Sequence, residues 1–271
     1  MNHKSGIYKD VPEDEYHSWD LLSKSTLSDF SQNPGKFKLK EKEETNAMKI
    51  GTAIDNLLFG GEEQFWNKYT IHPKYKGAGS VAKNKEWETK NAAFIHINQK
   101  QADDCFNAAE AVKKYDLANQ YLKEAHTQLS LVWKCEETGL MCKARPDIKP
   151  SGENMQFVMC DLKSTVDASY NKFRKIFTDM KYHWQAVHYS DGWEAITGDR
   201  IEEFVFIVVE KEFPYMVAVY TFDRDSDDWG LAEEQIIEAK KYYAECKQKN
   251  NWPLNPTKKI QMKLSNYVWY Q

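Results

Sequence analysis

Residues 145–163 read RPDIKPSGENMQFVMCDLK, and the fold turns on how this stretch is laid out. Asp147 and Asp161 stand 14 positions apart. The flanking runs 140–148 and 155–162 have strand composition. A third run, 129–133 (LSLVW), precedes them across a turn at Thr138-Gly139. A hairpin with that spacing brings both carboxylates to one edge of a sheet. Alternate side chains of a strand share a face, so Asp161 and Lys163 point the same way while Leu162 points into the core.

Two carboxylates and the Leu162 carbonyl are hard oxygen donors, a set suited to Mg²⁺ or Mn²⁺ rather than zinc. Such a metal lowers the pKa of bound water and neutralises charge developing on a phosphodiester. Beside it, a lysine such as Lys163 with a depressed pKa can orient or deprotonate that water. Downstream, Gln185 and Tyr189 are spaced i, i+4 on one face of a helix, and both can hydrogen-bond phosphate or base. Upstream, Asp55 ends the run Ile50-Gly51-Thr52-Ala53-Ile54, near the edge of a core, where a carboxylate needs a partner or a metal. Each feature has an ordinary reading. D-x-K is a common tripeptide, Asp147 can be a turn residue, Asp55 can bond a helix terminus or an arginine, and Gln185 and Tyr189 can be helix surface. Their joint occurrence, in this order, carries the argument.

Working outward, helices are expected over about 25–39, interrupted by Pro34-Gly35, over 48–59, ended by Gly60-Gly61, and over 99–124 as one long amphipathic helix. Residues 1–24 read as extended or irregular. Residues 72–87, with Pro73, Gly77, Gly79 and several lysines, read as a mobile loop. Beyond the D-x-K strand, helices are expected over 168–180 and 182–197. Strands follow over 203–210 and 215–222 with a turn at Pro214, then a last helix over 229–247. This order implies a single α/β domain over 1–271. Its sheet-containing core occupies 125–271, a central mixed sheet flanked by helices, and 1–124 adds mainly helical structure.

With 41% hydrophobic and 14% aromatic residues, the 271-residue chain can bury a core. Lys and Arg number 37 against 41 Asp and Glu, a net charge of −4. That excludes a histone-like or polybasic protein but leaves room for a local basic groove. The mean hydropathy is −0.74, and no window approaches the roughly 18 apolar residues of a membrane span. Residues 1–10 lack the apolar region of a secretory signal. The five cysteines form no C-x-x-C pair and read as reduced thiols of a cytosolic protein. Lys36, Lys38, Lys40 and Lys42 alternate around a helix and read as solvated surface. The lysines of 74–85 are candidates for gripping a DNA backbone. Trp19, Trp66 and Trp87 read as core or subunit packing.

RPD, then D-x-K on a strand, then Q-x-x-x-Y on a helix resembles the PD-(D/E)xK nuclease superfamily. More narrowly, the chain resembles the RecE-type exonucleases (exonuclease VIII) of phages and prophages. The likeness is carried by Glu136-Glu137-Thr138-Gly139-Leu140, Cys142-Lys143-Ala144-Arg145-Pro146-Asp147 and Asp161-Leu162-Lys163-Ser164-Thr165-Val166-Asp167. Tyr182-His183-Trp184-Gln185 and His188-Tyr189-Ser190-Asp191-Gly192 extend it. Leu22-Ser23-Lys24-Ser25, Ile50-Gly51-Thr52-Ala53 and, more loosely, Trp252-Pro253 belong to it as well. The resemblance implies a Mg²⁺-dependent exonuclease of the bacterial cytoplasm. Such an enzyme degrades one strand of linear double-stranded DNA from its 5′ end and leaves a 3′ overhang for a single-strand annealing partner in recombination. Relatives form closed rings. Carried over, Asp147, Asp161 and the Leu162 carbonyl are metal ligands, Lys163 is the catalytic lysine, and Gln185 and Tyr189 lie near the site. Relatives usually have histidine where this chain has Asp55, which is kept as a ligand, and often glutamate where it has Gln128. Two other readings remain open on the same fold: a silent DNA-binding or scaffold protein, and a structure- or sequence-specific endonuclease.

Overall fold

The computed structural model describes residues 3–39 and 46–255; Lys40 and Lys42 lie outside them. The N-terminal segment is more ordered than its sequence suggests. It forms a strand, β1 (Gly6–Tyr8), and a short helix, α1 (Glu13–Ser18), whose three acids occupy the first turn, the end that favours negative charge. Helix α2 (Lys24–Gln32) starts at a Ser23 cap whose hydroxyl accepts from Thr26 N–H. Helix α3 (Pro34–Leu39) has Pro34 at its first position, where a missing N–H costs nothing. Helix α4 (Asn46–Asp55) runs through a π-helical turn (Asn56–Gly60) into α5 (Gly61–Lys68), so Gly60-Gly61 bends the helical path rather than ending it.

Strands β2 (Tyr69–Ile71) and β3 (Ile95–Ile97) pair in parallel. Between them residues 80–90 form a helix, α6 (Ser80–Lys90), inside the stretch expected to be a loop. None of its residues is buried, so it has no apolar stripe for a periodicity reading to detect. The Glu86–Lys90 pair spans one of its turns. Residues 99–124 are two helices, α7 (Gln99–Lys114) and α8 (Asp116–Leu122), parted at Tyr115; an Asn98–Gln101 capping box opens the first.

The second half carries β4 (Ala125–Thr127), β5 (Ser130–Lys134), β6 (Met141–Ala144), β7 (Ile148–Pro150) and β8 (Val158–Thr165). Helices α9 (Tyr170–Asp179) and α10 (Tyr182–Thr197), strands β9 (Glu203–Glu210) and β10 (Val217–Asp223), and helix α11 (Asp227–Lys249) follow. The single strand expected over 140–148 is broken at Pro146, which has no N–H for a ladder, and its halves join different sheets. One sheet has the order β1-β5-β6; the main one, mixed in direction, has the order β10-β9-β8-β7-β4. Strand β8 pairs in parallel with β9 across the α9–α10 crossover and continues two residues past Lys163, so D-x-K lies inside the strand rather than at its end.

Strand β9 is buried on both faces, which is why it reads as an unbroken apolar run. Phe204, Phe206 and Val208 join a core with Trp133, Trp184 and Trp229; Val205, Ile207 and Val209 join another with Ile54, Phe65 and Val112. Trp19 packs edge-on to Tyr8 and Tyr16, Trp66 against Phe65 and Phe106, and Trp87 against His72 and His96. All five cysteines are free and buried. Among the described residues no helix is long and apolar enough to cross a membrane.

Candidate active site

Strand β7 meets β8 at the pair Ile148–Cys160. Asp147 precedes that pair and Asp161 follows it, so the hairpin places both at one edge of the sheet, as the spacing predicts. The Leu162 N–H donates to Asp147 Oδ2 at 2.9 Å. A strand residue turns its N–H and C=O to the same side, so the Leu162 carbonyl also faces the Asp147 edge. The other Asp147 oxygen accepts from Gln128 Nε2 at 2.9 Å, and Gln128 N–H bonds the Asp147 carbonyl at 3.0 Å. Gln128 is thus an amide that positions Asp147.

Asp161 is 2% exposed. One oxygen accepts from Gln185 Nε2 of α10 and the other from Lys163 Nζ. Lys163 and Asp161 share a face of β8, as alternation requires, and the lysine ammonium lies 4.6 Å from the centroid of the Tyr182 ring. Asp55 comes from α4, across the sheet from α10. Gly51 makes that approach possible: a Cβ there would stand 3.2 Å from Ser164 Oγ on β8.

The electrostatics show that the carboxylates share one environment. Burial, with the charge of Asp161 beside it, pushes Asp55 up to about 8. Asp147 is raised well above the usual carboxylate range by burial, then by Asp161 and Asp55. Burial works against a charged Lys163, but Asp161, Tyr182 and Asp147 outweigh it and hold the side chain as an ammonium, above its ordinary value. A depressed lysine pKa is therefore not what this arrangement produces. Tyr189 is raised well above its ordinary value by burial and by Asp161; its phenol keeps its proton and bonds the Arg145 backbone.

Four further residues frame the site. Lys24, almost buried, donates to the Met180 carbonyl at 2.6 Å and stands 5.3 Å from the centroid of the same Tyr182 ring. Burial and the neighbouring Lys163 lower it to about 7. The sequence holds one signal for it: a lysine directly after the Ser23 cap sits at the helix end that disfavours cations. Arg145 bonds the Val11 and Gln128 carbonyls, and Lys143 bonds the Tyr16 and Trp19 carbonyls at 2.7 and 2.8 Å. These two tie the N-terminal segment to β6 and the turn that follows it. His188, beneath Trp133, is buried and held neutral, well below its ordinary value.

The donors that meet here are hard oxygens, and the mutual repulsion of three carboxylates is what a bound cation relieves. Among the described residues no three His, Cys, Asp or Glu side chains already stand around a common point. The oxygens of Asp161 face Lys163 and Gln185, and those of Asp147 face Gln128 and Leu162 N–H. The donor chemistry fits a divalent cation held by Asp55, Asp147, Asp161 and the Leu162 carbonyl, in exchange for some of these contacts.

Comparison with known proteins bears on the fold and the family. A proposed exonuclease from Eubacterium rectale, solved at 2.19 Å, superposes with a TM-score of 0.62 over 96% of this chain and 98% of that one, at 13% identity, a likeness of fold. The structure of SSO0001 aligns over 72% of this chain and 87% of that one with a TM-score of 0.28 and 12% identity, too low for a fold argument. No curated protein matches the sequence. The mixed sheet, its flanking helices and the aspartates at its edge form a PD-(D/E)xK nuclease fold. The match that spans most of the chain, residues 23–263, makes it a member of the family described as the PDDEXK-like domain of unknown function DUF3799.

Proposed function

We propose that this chain is a RecE-type, metal-dependent exonuclease that digests one strand of linear double-stranded DNA from its 5′ end. The 3′ overhang it leaves would serve a single-strand annealing partner in phage-type recombination within a bacterial cytoplasm. In this reading residues 1–271 work as one nuclease unit, assembled into a ring. The observation that carries it is the pairing of Asp161 and Lys163 on one face of β8, with Gln185 clamping Asp161 and with Asp147 and Asp55 brought to the same edge.

The chain's own groups have separate tasks. Asp55, Asp147, Asp161 and the Leu162 carbonyl would hold Mg²⁺ or Mn²⁺; when bound, the ion supplies charge neutralisation at the phosphate and activation of water. Gln128 and Gln185 fix the orientation of Asp147 and Asp161 by hydrogen bonds to their oxygens. Lys163 presents an ammonium that donates to a phosphate oxygen or to the attacking water, steered by Asp161 and the Tyr182 ring. Tyr189 keeps its proton and supports the Arg145-Pro146-Asp147 turn from beneath.

The test compares linear duplex with covalently closed circular duplex, each with Mg²⁺ or Mn²⁺. Degradation of the linear form alone is expected. Equal cutting of the circle overturns the exonuclease reading in favour of an endonuclease. Binding without cutting of either form favours the silent module.

A further inference from the structure

The proposed site uses Lys163 and leaves a second set of cations unexplained. Between residues 163 and 183 the chain carries five, Lys163, Lys172, Arg174, Lys175 and Lys181, against Asp167 and Asp179. That is a local net charge of +3 in a chain of net charge −4. Helix α9 sorts these residues by face. Phe173 and Phe177 turn inward, stacking on Tyr220 and packing on Phe206 and Phe222. Lys172, Arg174 and Lys175 are exposed, and none of them makes an ion pair with a carboxylate among the described residues. Tyr170, 61% exposed, lies beside Arg174 with its ring 5.9 Å from the guanidinium carbon.

The row is continuous with the catalytic edge at both ends of α9. The helix begins just after β8, the strand of Asp161 and Lys163. At its other end the Met180 carbonyl is held by Lys24, and Tyr182, two residues on, lies against both Lys24 and Lys163. At about 1.5 Å per residue, the eight-residue step from Lys172 to Met180 covers roughly 12 Å. One DNA strand advances about 3.4 Å per phosphate, so the cations stand roughly three to four phosphates along α9 from the Met180 end of the catalytic edge. Solvated cations held in no close ion pair, an exposed aromatic ring and closeness to the catalytic edge match a polyanion.

Building on the nuclease reading, we propose that the exposed cations of α9, Lys172, Arg174 and Lys175, form the surface that grips the phosphate backbone of the DNA duplex next to the scissile end. It makes backbone contacts only, so it contributes affinity and register but no sequence preference.

The test uses a Lys163→Ala chain as the reference, to prevent digestion, and adds Lys172→Gln, Arg174→Gln and Lys175→Gln together. Affinity for a linear 30-base-pair duplex is measured by fluorescence anisotropy between 50 and 200 mM NaCl. Each lost phosphate contact lowers the slope of log K against log salt by about 0.9, so a fall of about 2 to 3 is expected. A Lys172→Arg, Lys175→Arg chain should keep the reference slope, and matching melting temperatures establish that the triple variant is folded. An unchanged slope in the folded triple variant overturns this surface and leaves the nuclease reading standing. A reference chain that does not bind duplex at all overturns both.

Discussion

Replacing Asp161 by Asn tests the site at its most buried charge. The carboxylate is 2% exposed and accepts from both Lys163 and Gln185. Asparagine keeps one acceptor oxygen but leaves the Lys163 ammonium buried without an opposite charge. Breaking one partner of a buried ion pair costs about 3–5 kcal/mol. Part of that cost is returned, because Asp55 and Asp147 lose the neighbour that repels their charged forms, which points to the lower end of the range. At about 2.1 cal/mol/K per residue, a 271-residue chain has an unfolding entropy of roughly 0.57 kcal/mol/K. In EDTA the variant should therefore melt about 5–6 °C below the wild-type chain. With Mn²⁺ at a hundred times its dissociation constant, the wild-type chain should gain about 2.7 kcal/mol, or about 5 °C, and the variant should gain almost nothing. Differential scanning fluorimetry with and without Mn²⁺ reads both numbers. A variant that melts with the wild-type chain and shows the same Mn²⁺ shift would refute the assignment of Asp161 as both the counter-charge of Lys163 and a cation ligand.

Metal-free stability should pass through a shallow minimum near pH 7–8. Asp55, at about 8 against an ordinary 3.8, carries a proton in the folded chain that the unfolded chain has released, so stability falls as pH rises through that interval. Lys24, at about 7 against 10.5, has the opposite sign, since the unfolded chain holds the extra proton, and stability rises above pH 7. Melting curves of Asp55→Asn should show a flatter acid limb and those of Lys24→Met a flatter alkaline one; a monotonic profile contradicts the assignment. Gly192→Ala would place a Cβ 2.6 Å from the ring of Trp133, which is 2% exposed. Overpacking of that kind costs about 1–3 kcal/mol, so a melting temperature lower by about 2–5 °C is expected, and an unchanged one means that the ring can move aside. Lys163→Ala should abolish cleavage while duplex binding persists; turnover at the wild-type rate would remove Lys163 from the mechanism.

Much of the fold was legible because its signals are local. The apolar run of β9, the alternation of Asp161, Leu162 and Lys163, and the i, i+4 placement of Gln185 and Tyr189 depend on a few consecutive residues and survive in any tertiary context. Helix α6 was not legible, since a helix with no buried face leaves no period. The break at Pro146 could be suspected, but not that its two sides would enter different sheets. The RPD and D-x-K motifs, which resemble those of PD-(D/E)xK nucleases, pointed to Asp147, Asp161 and Lys163, and the structure brings these to one sheet edge with Gln185 bonded to Asp161.

By itself, the sequence determined the class of the fold, the two hairpin aspartates and the lysine that shares a strand face with one of them, because strand periodicity and turn chemistry are written residue by residue. From the tertiary structure alone it follows that Asp55, from the opposite layer, feels the charge of Asp161, that Gln128 serves Asp147, that Lys24 lies over the same ring as Lys163, and that Lys163 is held charged rather than depressed. Those outcomes depend on which groups are desolvated together, and burial and Coulomb coupling are set by distances between residues that can lie more than a hundred positions apart in the chain.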